Sequence, residues 1–237
     1  KEHAPNSIKE YNVSHYNDKL IAIDTSLVLY QYISALRNSG EDLTNDNNDI
    51  TTHLYAIIQK SISLLDKGIK PVFIFDGKAP DIKKYTLEKR KKLKQTAEKK
   101  KAVALTKEEE IKFFKRSLFI TKKQYDECKM ILEILGIPYI QAFGEADCVC
   151  AHLVKKKLVY AAYSEDMDFL TFGCSKLIKN LKGNKKITEL NLEEVLKELN
   201  LSYDSFINLT VLLGCDYAPT IKGIGYKTAL KIINEHK

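Results

Sequence analysis

Seven carboxylates stand where apolar runs of this sequence give out. Asp24 ends Leu20-Ile21-Ala22-Ile23, and Asp76 ends Val72-Phe73-Ile74-Phe75. Glu145 and Asp147 follow Ile137-Pro138-Tyr139-Ile140, while Asp166 and Asp168 follow Val159-Tyr160-Ala161-Ala162-Tyr163. Asp216 ends a further apolar stretch, Phe206–Cys215, read as a helix. In an open parallel sheet, ligands bind beyond the carboxyl ends of the strands. Acids gathered there repel one another, and most can ionise together only around cations. An all-carboxylate donor set suits Mg²⁺ or Mn²⁺. The two pairs are spaced i, i+2 and cannot share a face within a helix, so each needs a loop or a helix start. Taken singly, each acid also reads as an N-cap or turn residue.

A basic segment accompanies the acids. Between Asp81 and Lys123 there are sixteen Lys/Arg against six Asp/Glu, whereas the whole chain carries only +7. The excess therefore sits in one stretch, and the rest of the chain is slightly acidic. Such a stretch points to a polyanion partner or, read blandly, to a solvated helical face. A carboxylate cage for two hard cations beside it points to phosphodiester hydrolysis. There is no Gly-rich P-loop, and the five histidines (His3, His15, His53, His152, His236) avoid the strand ends. Nucleotide-driven and Ser–His–Asp chemistries are disfavoured accordingly. A third element is Thr220-Ile221-Lys222-Gly223-Ile224-Gly225-Tyr226-Lys227, a G-x-G turn opening an amphipathic helix. Its free backbone N–H groups can take a backbone phosphate without reading sequence.

These residues need a scaffold, and the chain supplies a regular one. The strand-like runs 20–23, 72–75, 137–140 and 159–163 alternate with helical patterns at 26–37 and 52–67 and with one that ends at Gly136. That alternation predicts an α/β fold with a central, mostly parallel sheet flanked by helices. Segment 81–118 is Lys-rich and helix-compatible, and reads as an insertion projecting from the sheet; after about Glu193 the chain turns all-helical. With 237 residues, 44% hydrophobic and 29% charged, disordered and collagen-like classes are excluded. No apolar run approaches the roughly 18 residues of a membrane span. The first fifteen residues lack the apolar core of a secretion signal. The five cysteines form no C-x-x-C and are odd in number, which fits a reducing compartment.

Together, IAIDTS, PVFIFDGKAP, ITKKQYDECK, GIPYIQAFGEAD, VYAAYSEDMDFLTFG, LLGCDY and IKGIGYKTALKII resemble the structure-specific 5′ nucleases, and most closely the flap endonucleases of eukaryotic and archaeal type. The resemblance runs in order over nearly the whole chain. It implies a single nuclease domain over 1–237: an N-terminal nuclease region (1–80), a helical arch (81–123), an internal nuclease region (124–192) and a helical duplex-binding region (193–237) ending in a helix–two-turn–helix element. It places the family's metal ligands on Asp24, Asp76, Glu145, Asp147, Asp166, Asp168 and Asp216. Its catalytic Lys and Arg fall on Lys83 and Arg90, two helical turns apart. Tyr30 matches the residue that stacks on the base nearest the cut, and Arg37 one that contacts substrate near the 3′ flap. From the residues alone, Tyr30 also reads as core, and Arg37 as a helix C-terminal charge. Lys222, Gly223, Gly225 and Lys227 fall on the duplex-binding hairpin, where a potassium ion bridges protein and phosphate.

The resemblance thus implies a Mg²⁺-dependent 5′ flap endonuclease of replication and repair, with two ions and Mn²⁺ able to substitute, cutting branched DNA near the single-strand/double-strand junction. The implied protein is a monomer, nuclear, or cytoplasmic if viral or archaeal, with no membrane partner. The alternatives are a related 5′–3′ exonuclease or Holliday-junction resolvase, and a non-catalytic DNA-binding scaffold. Three features depart from the family pattern. Asp147 stands where flap endonucleases usually carry Glu, the family's Met-Gly start is missing before Lys1, and the chain ends at Lys237, short of further duplex-binding helices and a sliding-clamp peptide.

Overall fold

The apolar runs read from the sequence form the middle of one sheet. The computed structural model describes residues 4–37, 42–103, 106–181 and 186–236. The strands are β1 (Ile8–Tyr11), β2 (Leu20–Asp24), β3 (Lys70–Phe75), β4 (Tyr139–Gln141), β5 (Ala161–Tyr163), β6 (Lys176–Lys179) and β7 (Ile187–Asn191). Their order is β1-β7-β6-β5-β2-β3-β4. β6, β5, β2, β3 and β4 run parallel, whereas β7 pairs antiparallel with both β6 and β1. The sheet is therefore mostly parallel, as expected. β1, β6 and β7 are additions that the sequence reading did not contain.

Side chains alternate across the central strands, so each strand feeds two cores. Ile21, Ile23, Phe73, Phe75 and Tyr163 face one layer, built with α1 (Thr25–Leu36), α2 (Thr52–Leu65) and α5 (Lys122–Ile134). Ala22, Ile74, Ala162 and Leu177 face the other, built with α6 (Ala146–Lys155), α7 (Asp168–Thr171), α8 (Leu192–Leu199) and α9 (Tyr203–Leu213). Near-continuous apolar strands follow from burial on both faces. A third, smaller cluster joins α9 to α10 (Tyr226–Glu235) through Leu209, Ala229 and Ile233.

The insertion between β3 and α5 is a helical hairpin, α3 (Lys84–Ala102) packed on α4 (Lys107–Arg116). It enters through a short 3₁₀ turn, Asp81–Lys83. It leaves at a capping box: Thr121 Oγ1 accepts from the Gln124 backbone N–H at 3.2 Å, and Gln124 Oε1 accepts from the Thr121 N–H at 2.8 Å. Among the described residues no helix is long and apolar enough to cross a membrane.

Candidate active site

The strand order brings the acids to one edge. β4, β3, β2 and β5 are neighbours and parallel, so their carboxyl ends align. The chain steps from β2 outward through β3 to β4 and then returns to the other side of β2 as β5. That reversal is the switch point where α/β sheets bind ligands. Asp24 is the last residue of β2, Asp76 follows β3, Glu145 and Asp147 open α6 after β4, and Asp166 follows β5. Asp216 comes from the helical region. Gly214, with φ +88°, turns the chain just after α9, and a Cβ there would lie 2.6 Å from Thr220 Oγ1 and 2.8 Å from its Cα. Asp216 is thus carried on that turn, beyond the end of α9 and not within it.

A cleft of about 320 Å³ results, lined by Asp24, Asp76, Glu145, Asp147, Asp166 and Asp216 together with Lys83 and Arg90. Asp168 opens α7 just behind, its backbone N–H donating to Asp166 Oδ1 at 2.9 Å. Burial, then the Asp166 and Asp216 charges, hold its carboxyl above the usual range. The loop that carries Glu145 is clamped to the turn after Asp76. The Gly77 N–H donates to the Gly144 carbonyl at 2.6 Å, and a Cβ on Gly77 would stand 2.2 Å from the Ala142 carbonyl oxygen.

Each acid has a definite partner set. Asp24 does cap α1, accepting from the Leu27 N–H at 3.1 Å, and faces the cleft as well. Asp76 accepts from Ser26 Oγ at 2.6 Å and from the Ala146 N–H at 2.8 Å. Ser26 Oγ lies 2.9 Å from the Tyr125 hydroxyl, whose pKa is pushed up to about 12 chiefly by burial. Glu145 is the N-cap of α6 but makes no cap hydrogen bond, because Lys83 and the Tyr217 hydroxyl take its two oxygens. Asp147 lies in the first turn of α6 and is not its N-cap.

The cations come from the arch base. Lys83, 7% exposed, pairs with Glu145 and lies 3.0 Å from Asp216 Oδ2. Burial alone would lower its pKa, but the hydrogen bonds to Glu145 and Asp216 leave it raised, so the ammonium stays charged. Arg90 Nη2 reaches Asp216 Oδ1 at 2.7 Å, and Thr86 Oγ1 donates to the Asp216 carbonyl at 2.8 Å.

The remaining carboxylates are under electrostatic load. Asp24 is pushed up to about 7, by burial first and then by Asp76. Asp147 is pushed up to about 8, by burial and then by Asp24, Asp76 and Asp166. Among the described residues no three acidic, His or Cys side chains already form a closed metal cage. The donor chemistry nevertheless fits hard cations: only carboxylate oxygens converge, and their mutual repulsion is what a divalent ion would relieve.

Tyr30, half-exposed, lies on α1. Arg37 follows α1, and its guanidinium is engaged by Asp42 and the Phe114 carbonyl. Lys222, Gly223, Gly225 and Lys227 are exposed on the turn into α10, with Gly225 as N-cap and Gly223 at φ +89°. Tyr217, Ser26, Thr86 and Tyr125 were not singled out from sequence. Tyr217, Ser26 and Tyr125 do lie inside the motifs LLGCDY, IAIDTS and ITKKQYDECK, which is the signal that could have found them.

The chain matches the XPG N-terminal domain over residues 1–97 and the XPG I-region over residues 136–216. It is 43% identical over 242 residues to flap endonuclease 1 of Danio rerio and 42% identical over 241 residues to that of Homo sapiens, covering 99% of this chain in each case. It spans 64% and 63% of those relatives' length. The structure superposes on flap endonuclease-1 from Methanococcus jannaschii with a TM-score of 0.76 at 33% identity, covering 97% of this chain and 75% of that one. On the catalytic core of Rad2 in complex with DNA substrate the TM-score is 0.75 at 29% identity, covering 99% and 66%. By fold, by the order of its motifs and by these similarities, the chain belongs to the flap endonuclease branch of the XPG nuclease family.

Proposed function

We propose that this chain hydrolyses phosphodiester bonds in branched DNA, cutting near the single-strand/double-strand junction as a 5′ flap endonuclease that uses two Mg²⁺ ions, with Mn²⁺ able to substitute. The observation that carries the reading is the meeting of two charge systems in one cleft: carboxylates from four neighbouring strand ends, and Lys83 and Arg90 from the arch. A scaffold that only bound DNA would gain nothing from acids that repel its ligand.

Asp24, Asp76, Glu145, Asp147, Asp166, Asp168 and Asp216 would hold the ions. Bound there, divalent cations supply a water of lowered pKa and neutralise charge developing on phosphate. Lys83 and Arg90 orient the scissile phosphate and offset its charge. Lys83 is paired with Glu145 and Asp216, and Arg90 with Asp216, so substrate phosphate must draw both cations away from these carboxylates. Tyr30 stacks on a base beside the cut, and Arg37 contacts the substrate near the 3′ flap. Lys222, Gly223, Gly225 and Lys227 grip duplex phosphate at the α10 N-terminus, and the 220–225 hairpin would hold a K⁺ ion that offsets phosphate charge. The chain acts on DNA as a monomer.

Incubation with flap, nicked and four-way-junction DNA, with Mg²⁺ or EDTA, tests this. Flap cleavage should dominate and vanish in EDTA. Asp166→Asn should keep DNA affinity and lose several orders of magnitude in rate. Comparable cutting of intact duplex, or a near-wild-type rate for Asp166→Asn at saturating Mg²⁺, would overturn the reading.

A further inference from the structure

The end of the sheet opposite the acidic cleft carries a second charged concavity. There the amino ends of β2, β5 and β6 adjoin a cavity of about 460 Å³, lined by Leu20, Lys157, Leu158, Tyr160, Ser175 and Lys176 among others. Leu20 and Asp24 are opposite ends of β2, about 13 Å apart at the usual strand rise. The two cavities are thus separate and adjoin opposite ends of β2.

Two ammonium groups meet here over one aromatic ring, with the buried Glu189 as the acid beside them. Lys19 Nζ lies 3.8 Å and Lys176 Nζ 4.0 Å from the centroid of the same Tyr160 ring. Lys19 Nζ also stands 2.9 Å from His15 Nε2, which is 3.0 Å from the Tyr160 hydroxyl. The nearby carboxylate, Glu189, is buried and accepts from the hydroxyls of Tyr16 at 3.1 Å and Tyr160 at 3.2 Å. Among the described residues no carboxylate forms an ion pair with Lys19, Lys157 or Lys176. Burial, and Lys176 against it, pull the Lys19 ammonium below its usual pKa even though Glu189 opposes them. Lys157 adds a third charge from a backbone position, φ +57° just past the end of α6, that ordinarily favours glycine.

Clustered ammonium groups in a concave, partly apolar wall focus anions. A phosphate monoester suits them best, since it carries close to two charges at neutral pH and three acceptor oxygens. The volume exceeds what a bare oxyanion fills and falls within the range of small-ligand sites. Leu20, Leu158 and Val159 add apolar surface beside the charges. We infer that this cavity binds a nucleoside monophosphate, its phosphate held by Lys157, Lys176 and the Ser175 hydroxyl and its base against Leu20, Leu158 and Val159.

The inference does not rest on the nuclease reading, and its test keeps the acidic cleft silent. Isothermal titration in EDTA should show deoxyadenosine monophosphate binding at one saturable site, more tightly than inorganic phosphate, with deoxyadenosine not binding. Lys176→Gln and Lys157→Gly should each weaken that binding about tenfold or more, the loss of one charge-assisted contact. Lys157→Gly keeps the backbone conformation, so a folding defect cannot explain its effect. Lys99→Gln on the arch should leave the mononucleotide affinity of this cavity unchanged. Absence of saturable binding at millimolar nucleotide, or binding that survives the Lys176→Gln, Lys157→Gly double variant, would overturn the assignment. Preference for single-stranded DNA over the mononucleotide at this cavity would overturn it too.

Discussion

Arg37 grips Asp42 through two parallel hydrogen bonds, Nε to Oδ1 and Nη2 to Oδ2, both 2.9 Å, with each side chain 11% exposed. The same guanidinium donates to the Phe114 carbonyl at 3.0 Å and lies 4.1 Å from the Phe114 ring. Lys101 Nζ stands 3.8 Å from that ring too. The end of α1 is therefore pinned to α4 of the arch, and a residue expected to meet substrate is first a strut. Such bidentate, mostly buried pairs hold geometry far better than exposed ones.

Asp42→Ala frees the guanidinium without removing it, so it separates the two roles. Amide exchange in α4 should quicken in Asp42→Ala and Arg37→Ala alike. Affinity for flap DNA should fall, by up to about tenfold, in Arg37→Ala alone, as for one lost phosphate contact. Equal affinity losses in both variants would show that arch docking is all Arg37 contributes.

At the arch base, Lys83→Ala and Arg90→Ala should each slow single-turnover cleavage by roughly 10²–10³, the scale of losing one preorganised donor. Lys99→Ala or Lys100→Ala should instead weaken binding and lower the salt slope by about 1. Unchanged single-turnover rates in the first pair would remove both residues from the chemistry.

The raised carboxyls make a pH prediction. Burial and the neighbouring acids push Asp24 up to about 7 and Asp147 up to about 8 in the fold, against 3.8 for an unperturbed Asp. Between those values the folded chain binds more protons than the unfolded one, so metal-free stability falls as pH rises through the window. Mg²⁺ requires the deprotonated carboxylates, so its stabilising effect should grow over the same range. Thermal denaturation in EDTA and in Mg²⁺, from about pH 5 to about pH 8, checks this. Asp147→Asn should raise the Tm in EDTA most at the alkaline end and lose part of the Mg²⁺ gain, while Asp147→Glu should be tolerated. A flat difference between Asp147→Asn and wild type across pH would refute the electrostatic load.

Tyr217 holds one oxygen of Glu145 while its ring packs edge-on against Phe172 at 5.9 Å. Tyr217→Phe removes the donor and keeps the packing. Apparent Mg²⁺ affinity should drop by about 10–100-fold, typical for losing an outer partner of a metal ligand, with much less change in rate at saturating metal. Metal titration of flap cleavage distinguishes this from a purely structural role, which would lower the Tm and leave the titration midpoint in place.

The local sequence was enough for the carboxylate edge. An apolar run of four or five residues that ends in an acid marks both a buried strand and a candidate site residue at its carboxyl end. Right-handed crossovers then align such ends on one side of the sheet. The helical, basic insertion was legible from charge and helix propensity alone. β1, β6 and β7 were not, because Ile8-Lys9-Glu10-Tyr11, Lys176–Lys179 and Ile187–Asn191 are half polar and exist as strands only through partners far along the chain. The same holds for every contact that gives the site its electrostatics. Lys83 meets Glu145 across 62 residues and Arg90 meets Asp216 across 126. Arg37 reaches Phe114 across 77, and the two lysines over Tyr160 come from two separate segments. Periodicity encodes which face of an element is apolar, whereas these pairings depend on how the layers dock, and only the packed structure decides that.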